Sequence, residues 1–373
     1  MDSTYSSGVW RYKELIHPSL ESRLIVTRPE GNTNIYKRRT LSEYTGIANL
    51  SLKHEGENPT GSFKDRGMTV AISEAIMLKV NSVACASTGN TSASMASYAA
   101  QAGLKAIVFI PKDNIAYGKL SQAMAYGSKI VQVEGNFDKA MDLVQKASKE
   151  MELYLLNSIN PWRVEGKKSI IYELIQQRGW TIPEWIVLPA GNLGNLSAFG
   201  KALRELVELG WIEKAPRLVA IQAELADPFY RLWAKKERKI TPIEPTTIAS
   251  AIKIGNPVSW EKGIRAIEET NGVVEVVSDD EIVDAKAQVD RSGIGCEPAS
   301  AASIAGAKKL REKGVIKLDD DVVCILTGNL LKDPESTLNL YQGKLREVEP
   351  KLKNELYDLD DNSVGSLRRI IDS

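Results

Sequence analysis

Lys64 lies in the run Ser62-Phe63-Lys64-Asp65-Arg66-Gly67, an uncommon setting for a lysine. The turn residues Asn58-Pro59-Thr60-Gly61 lead to Ser62, whose hydroxyl reads as the N-cap of a helix. Met68, Ile72, Ala75 and Ile76 then recur on one face of that helix. A lysine in the first turn sits at the positive end of the helix dipole, which disfavours its ammonium form. Burial acts in the same direction. An amine with a lowered pKa is what Schiff-base chemistry requires. Most lysines at helix starts are solvated surface groups, so the assignment needs company.

Four other segments supply it. Ala190-Gly191-Asn192-Leu193-Gly194-Asn195 follows the apolar run Trp185-Ile186-Val187-Leu188-Pro189 and precedes a helical period at Leu196, Phe199, Leu203 and Leu206. A strand, a glycine-rich turn and a helix start aim backbone N–H groups at one point, which suits a phosphate. The Gly-Lys-Ser/Thr ending of a P-loop is missing, as is the dinucleotide spacing Gly-x-Gly-x-x-Gly. Ser87-Thr88-Gly89-Asn90-Thr91-Ser92 opens another helix with hydroxyls, an amide and free N–H groups, a donor set suited to a carboxylate. Leu326-Thr327-Gly328-Asn329 ends a strand with a hydroxyl that could meet a ring nitrogen. Arg163 stands beside Asn157 and Ser158, and a guanidinium matches phosphate geometry through two parallel donors.

Singly, each segment has a plainer reading. The glycine loop could be an ordinary tight turn, the Ser87 loop a doubly capped helix start, and Thr327 a hydroxyl bonded to backbone. Arg163 could form a surface ion pair. Together they supply an amine nucleophile, a phosphate cradle, a carboxylate loop and a hydroxyl for a ring nitrogen. Those are the needs of pyridoxal 5′-phosphate acting on an amino acid.

The elements that must carry these loops are legible as alternating runs. Strands are predicted at Ser82–Ala86, Ala106–Ile110, Ile130–Val133, Leu153–Leu156, Trp185–Leu188, Leu218–Gln222, Val273–Val277 and Val322–Leu326. Helices are predicted at Thr91–Ala102, Lys119–Tyr126, Asp138–Lys149 and Ser197–Glu208. Apolar runs without strict alternation imply strands covered on both faces, hence an α/β fold of open, mostly parallel sheets flanked by helices. Ligands in such sheets bind beyond the carboxyl ends of the strands. The proline-bearing stretch 235–257 reads as a long connection near a site.

Composition narrows the class further. The 373 residues suit two domains or one large unit, and 43% hydrophobic residues provide a substantial core. Lys plus Arg and Asp plus Glu both number 48, so no charge excess points to nucleic acid or an anionic membrane. No cationic start followed by an apolar run opens the chain, and no apolar stretch is long enough for a bilayer, so a cytoplasmic protein is expected. Cys85, Cys296 and Cys324 have the spacing of neither a metal site nor a disulfide framework. His17 and His54, the two histidines, argue against a Ser-His-Asp triad or a metal centre and leave proton transfer to another base.

The order of these motifs resembles the tryptophan-synthase-β group of pyridoxal-phosphate enzymes (fold type II). Within that group the chain is most similar to the shorter-type threonine synthases, from about Trp10 to about Gly343. Trp10-Arg11-Tyr12, Ile254-Gly255-Asn256-Pro257, Glu297-Pro298-Ala299-Ser300 and Leu331-Lys332-Asp333-Pro334 belong to the likeness. So do the Gly191 loop and the Asn157–Arg163 segment. The resemblance implies that Lys64 bonds the cofactor aldehyde and that Asn90 holds its ring hydroxyl. Gly191, Asn192, Leu193, Gly194 and Asn195 would bind its phosphate, and Thr327 would face its ring nitrogen. Ser87, Thr88 and Thr91 would hold the substrate carboxylate, with Asn157, Ser158 and Arg163 on the substrate phosphate. Relatives often read Thr-Gly-His-Gly where this chain has Thr327-Gly328-Asn329-Leu330, so no role passes to position 329.

The activity so implied is conversion of O-phospho-L-homoserine and water to L-threonine and phosphate, in a homodimer. The implied domains are 1–63 with 157–345, the larger and cofactor-binding one, and 64–156, the smaller. Residues 346–373 form a tail or surface helix, and the active site lies in the interdomain cleft. The alternatives are a threonine or serine dehydratase of the same fold, which would not need Arg163, and a non-catalytic phosphate-ligand sensor, against which Lys64 argues.

Overall fold

Ten strands gather into two sheets among the residues that the computed structural model describes, 6–112, 117–135, 137–345, 348, 351, 352, 357, 359 and 363–371. They are β1 (Ile35–Tyr36), β2 (Asn49–His54), β3 (Ser82–Ala86), β4 (Lys105–Pro111), β5 (Lys129–Val133), β6 (Tyr154–Leu155), β7 (Trp185–Pro189), β8 (Arg217–Ala223), β9 (Val273–Val277) and β10 (Asp321–Leu326). The larger sheet has the order β1-β2-β10-β7-β8-β9, the smaller β5-β4-β3-β6. Every pairing is parallel except β1 with β2. The α/β expectation is met, and each predicted strand is present, although the run 153–156 pairs only at Tyr154–Leu155. Of the charged tail, Val364–Ile371 is helical, while much of 346–373 lies outside the described residues.

The absence of alternation in the central strands now has its cause. Ile186 and Leu188 of β7 enter one hydrophobic core, while Trp185 and Val187 enter another on the opposite face. In β3, Val83 and Cys85 face one core and Ala84 and Ala86 the other. Helices cover both sides, so neither face calls for polar residues.

The helix Lys64–Met77 is held from its own first turns. Arg66, fully buried, pairs with Glu55 (Nε–Oε2 2.6 Å) and Glu173 (Nη2–Oε1 2.8 Å), and Glu173 also takes Lys53 (2.6 Å). Burial alone would raise the Glu173 pKa, but Arg66 and Lys53 outweigh it and hold that carboxyl at about 2. The expected N-cap is not formed. Phe63 occupies the cap position without a side-chain bond, and the Ser62 hydroxyl is buried without a partner among the described residues. The turn is closed instead from inside the helix, because Asp65 accepts from the Thr60 N–H (2.7 Å), the Thr60 hydroxyl (2.6 Å) and Ser94 (2.5 Å).

A short helix, Pro161–Lys167, crosses the Lys64 helix at very close range. Gly67 and Gly166 are the reason. A Cβ at Gly67 would lie 2.5 Å from the Arg163 carbonyl oxygen, and one at Gly166 would collide with the Arg66 carbonyl. We expect Gly166→Ala to cost about 1–3 kcal/mol, because the two backbones must separate to admit a methyl. Urea denaturation of the variant measures this, and an unchanged midpoint would show that the crossing is not tight.

Candidate active site

Both sheets reverse their strand order at one place, and the candidate residues lie there. In the larger sheet the chain runs outward from β7 through β8 to β9, then returns as β10 on the other side of β7. In the smaller it runs from β3 outward through β4 and β5, then returns as β6. The loops leaving the carboxyl ends at such switch points diverge and open a crevice. The Gly191 loop leaves β7, Thr327 leaves β10, the Ser87 loop leaves β3 and the Asn157 segment leaves β6.

Backbone bonds tie the lysine loop to this crevice. Phe63 N–H donates to the Thr327 carbonyl (3.0 Å) and Asn329 N–H to the Gly61 carbonyl (2.8 Å). Lys64, the first residue of its helix, is therefore held beside the end of β10. Its amine stands 3.9 Å from the centre of the Phe63 ring. Burial, with the nearby Arg163 cation adding to it and Glu297 partly offsetting both, pulls its pKa down to about 7. That is the perturbation the sequence called for, since a free amine is then abundant near neutral pH.

The glycine loop has the strain expected of a built cradle. Leu193 takes a left-handed conformation (φ +61°) immediately before the helix Gly194–Glu208. Asn195 is buried, and its side-chain oxygen has no partner among the described residues. Gly191 lies under the connection Ser250–Ile252, where a Cβ would come 3.0 Å from the Ile252 Cα. The long stretch 235–257 thus roofs this loop. Asn192 is half-buried beside it.

On the smaller sheet, Asn90 donates to both oxygens of Glu297 (3.0 and 3.3 Å), which spans from β3's loop to the residue before the helix Pro298–Glu312. The Asn157 amide bonds Ala86 in both directions (3.0 Å each), clamping the carboxyl end of β3 to that of β6. Arg163 is buried. Its Nη1 donates to the Leu156 carbonyl (2.8 Å) and Nη2 to the Thr91 hydroxyl (3.3 Å), while Nε has no partner. No carboxylate pairs with it among the described residues, and burial lowers its pKa to about 10. Ser87 accepts from the Gly89 N–H (3.2 Å). Thr88 and Ser158 lie half-buried on the same loops.

Three further residues belong to this constellation. Ser300 takes the Thr327 N–H (2.9 Å) and meets the Thr327 hydroxyl (3.0 Å), fixing its rotamer. Glu297 lies 3.4 Å from that hydroxyl and, being buried, is held toward its neutral form. Lys167 brings a second buried amine to the Gly191 loop, where a Cβ on Gly194 would come 2.7 Å from its Nζ. The spacing of four from Arg163 was the available signal for Lys167, since it places both cations on one helix face.

Comparison with known proteins agrees with this geometry. The family model described as pyridoxal-phosphate dependent enzyme matches residues 26–328. The chain therefore belongs to the pyridoxal-phosphate dependent enzymes, and its cofactor is pyridoxal 5′-phosphate. Among them its place is with the threonine synthases. It is 49% identical over 333 residues to the threonine synthase of Methanocaldococcus jannaschii, covering 89% of this chain and 82% of that protein. To that of Methanosarcina acetivorans it is 48% identical over 339 residues, covering 90% and 83%. In fold it is similar to maize serine racemase, with a TM-score of 0.74 at 20% identity over 91% of this chain and 98% of that one. The processed threonine deaminase isoform 2 of Solanum lycopersicum gives a TM-score of 0.70 at 19% identity over 88% and 92%. At such identities the two structures speak for the fold alone.

The residues present fit the cofactor. An amine with its pKa lowered to about 7, a left-handed loop at the start of a 15-residue helix and the buried Lys167 amine beside Gly194 all converge on the crevice.

Proposed function

We propose that this chain converts O-phospho-L-homoserine and water to L-threonine and phosphate, with Lys64 as its catalytic residue. When bound, pyridoxal phosphate supplies an electron sink for negative charge formed on the substrate. In this reading Lys64 holds the cofactor between turnovers. The Gly191–Asn195 loop takes the cofactor phosphate, Asn90 its ring hydroxyl and Thr327 its ring nitrogen. Ser87, Thr88 and Thr91 take the substrate carboxylate. Arg163, with Asn157 and Ser158 on the adjoining segment, takes the substrate phosphate.

Lys64 Nζ, the buried amine of the crevice, would take the proton from the substrate Cα. Loss of a further proton from Cβ lets the γ-phosphate leave. The former Cγ becomes the methyl of threonine, so a proton must be delivered there, and Lys64 Nζ, carrying the protons it has taken, is the donor in this reading. Water then adds at Cβ, and Cα is reprotonated. Thr327 gives the ring nitrogen a hydroxyl in place of a carboxylate, which favours elimination and replacement over transamination.

The observation that carries this reading is a buried Arg163 with which no carboxylate among the described residues pairs, set in the same crevice as Lys64. A phosphate is the partner it lacks. A threonine or serine dehydratase acts on a substrate without phosphate and gives that guanidinium nothing to bind. The deciding assay compares phosphate release from O-phospho-L-homoserine with 2-oxo acid formation from threonine. Rapid oxo-acid formation with no phosphate release would reverse the assignment.

The reading extends to the whole molecule. The proposed division into 1–63 with 157–345 and 64–156 is supported by strand membership, since β3 to β6 all fall within 82–155. None of the described helices is long and apolar enough to cross a membrane. A cytoplasmic homodimer is part of the proposal, and light scattering on the purified protein tests the dimer.

Lys64 also sets a pH dependence. Its amine is protonated below about 7 and free above, and only the free form attacks an aldehyde. Covalent capture of pyridoxal phosphate by the apoprotein should therefore slow by about tenfold for each pH unit below that value and level off above it. The rate of appearance of visible absorbance measures it; a capture rate that keeps rising to pH 10 would show an ordinary lysine.

A further inference from the structure

Lys167 has no role in the chemistry above, yet its position is costly. It is 3% exposed, and none of the described residues gives its amine a hydrogen bond or an ion pair. Its charged neighbours are Arg163 and Lys64, both cations, and burial together with these two holds its pKa well below the ordinary lysine range. The amine points at the first turn of the helix Gly194–Glu208, close enough that a Cβ on Gly194 would sit 2.7 Å away. That turn presents N–H groups and the positive end of a helix dipole. Two positive sources face each other across a gap lined by glycine. Without an anion between them the arrangement opposes folding; with one, each half stabilises the other.

The Gly191 loop lacks the lysine that a P-loop carries within its own sequence. We propose that Lys167 is the missing cation, reaching the loop from the neighbouring helix and bonding the phosphate of pyridoxal 5′-phosphate. This rests on the assignment of that loop to the cofactor. Two features favour the cofactor phosphate over the substrate's. Lys167 meets the loop at Gly194, whereas Arg163, one turn earlier, turns toward Thr91 and Leu156. The ring of Phe63 also lies beside both amines, 5.7 Å from Lys167 and 3.9 Å from Lys64. The cofactor would thus be gripped at its two ends by lysines from two helices that touch.

The test uses apoprotein made from the full-length holoenzyme, with pyridoxal 5′-phosphate and pyridoxal as paired probes. Lys167→Met, close in length and uncharged, should weaken the phosphorylated cofactor by about tenfold to a hundredfold. Pyridoxal should bind as to wild type. Lys167→Arg should retain most of the affinity for the phosphorylated form. Lys167→Gln serves in the same way should the methionine variant fail to fold. Equal affinity for pyridoxal phosphate in the methionine variant and wild type would overturn the proposal. So would equal weakening of both probes, which marks a packing role, or a raised KM for O-phospho-L-homoserine with cofactor affinity intact. Borohydride trapping in wild type separates the two levels: if label is absent from Lys64 there, the cofactor reading itself falls, whereas label at Lys64 with an unaffected methionine variant removes Lys167 alone.

Discussion

Lys64→Ala protein should carry no covalently attached cofactor and should lose at least about a thousandfold in kcat/KM. The expectation combines two losses. The amine that is pulled down to about 7 is the group able to bond an aldehyde near neutral pH, and alanine has no nucleophile to replace it. The same nitrogen is the base proposed for the Cα proton, so cofactor bound without the covalent link would still lack an acceptor. The structure should tolerate the change, because Arg66 and Asp65 anchor the helix through Glu55, Glu173, Thr60 and Ser94. Borohydride reduction followed by peptide mapping should find label at position 64 in wild type and none in the variant. Turnover near wild type would remove Lys64 from the chemistry.

Arg163→Ala should raise KM for O-phospho-L-homoserine by an amount equivalent to about 2–5 kcal/mol, the cost of stripping a buried charge from its counter-ion. Inhibition by threonine, which has no phosphate, should change little, and this contrast distinguishes a lost phosphate contact from a damaged fold. Arg163→Lys should not restore the affinity, because an ammonium cannot offer two parallel donors. A second effect follows from the electrostatics. Arg163 is a cation that helps lower the Lys64 pKa, so its removal should move the pH dependence of cofactor capture upward. Wild-type KM together with an unshifted profile would place Arg163 outside the site.

The crevice was more legible in the sequence than the frame around it. Strands β3 to β10 stand out because each carries apolar residues for two cores, and the motif loops follow directly upon them. β2 escaped because its text reads Asn49-Leu50-Ser51-Leu52-Lys53-His54. Its lysine is fully buried, and the partner that permits this, Glu173, lies 120 residues away in sequence. No local pattern encodes that pairing. β1 is two residues long and has no pattern to detect. Ser62 was misread for a related reason: a hydroxyl before a helix has the look of a cap, but Asp65 had already taken the turn's donors from within. Asn90 and Glu297 lie 207 residues apart, and only the two switch points bring them together.

The glycine-to-backbone crossing at Gly67 and Gly166 has a consequence for selectivity. Lys64 and Arg163 ride on chains whose main-chain atoms touch, so the spacing of their backbones is set by the two glycines. If Arg163 takes the substrate phosphate as proposed, a substrate one methylene shorter, such as O-phospho-L-serine, should be turned over poorly, and kcat/KM for the two phosphoesters measures it.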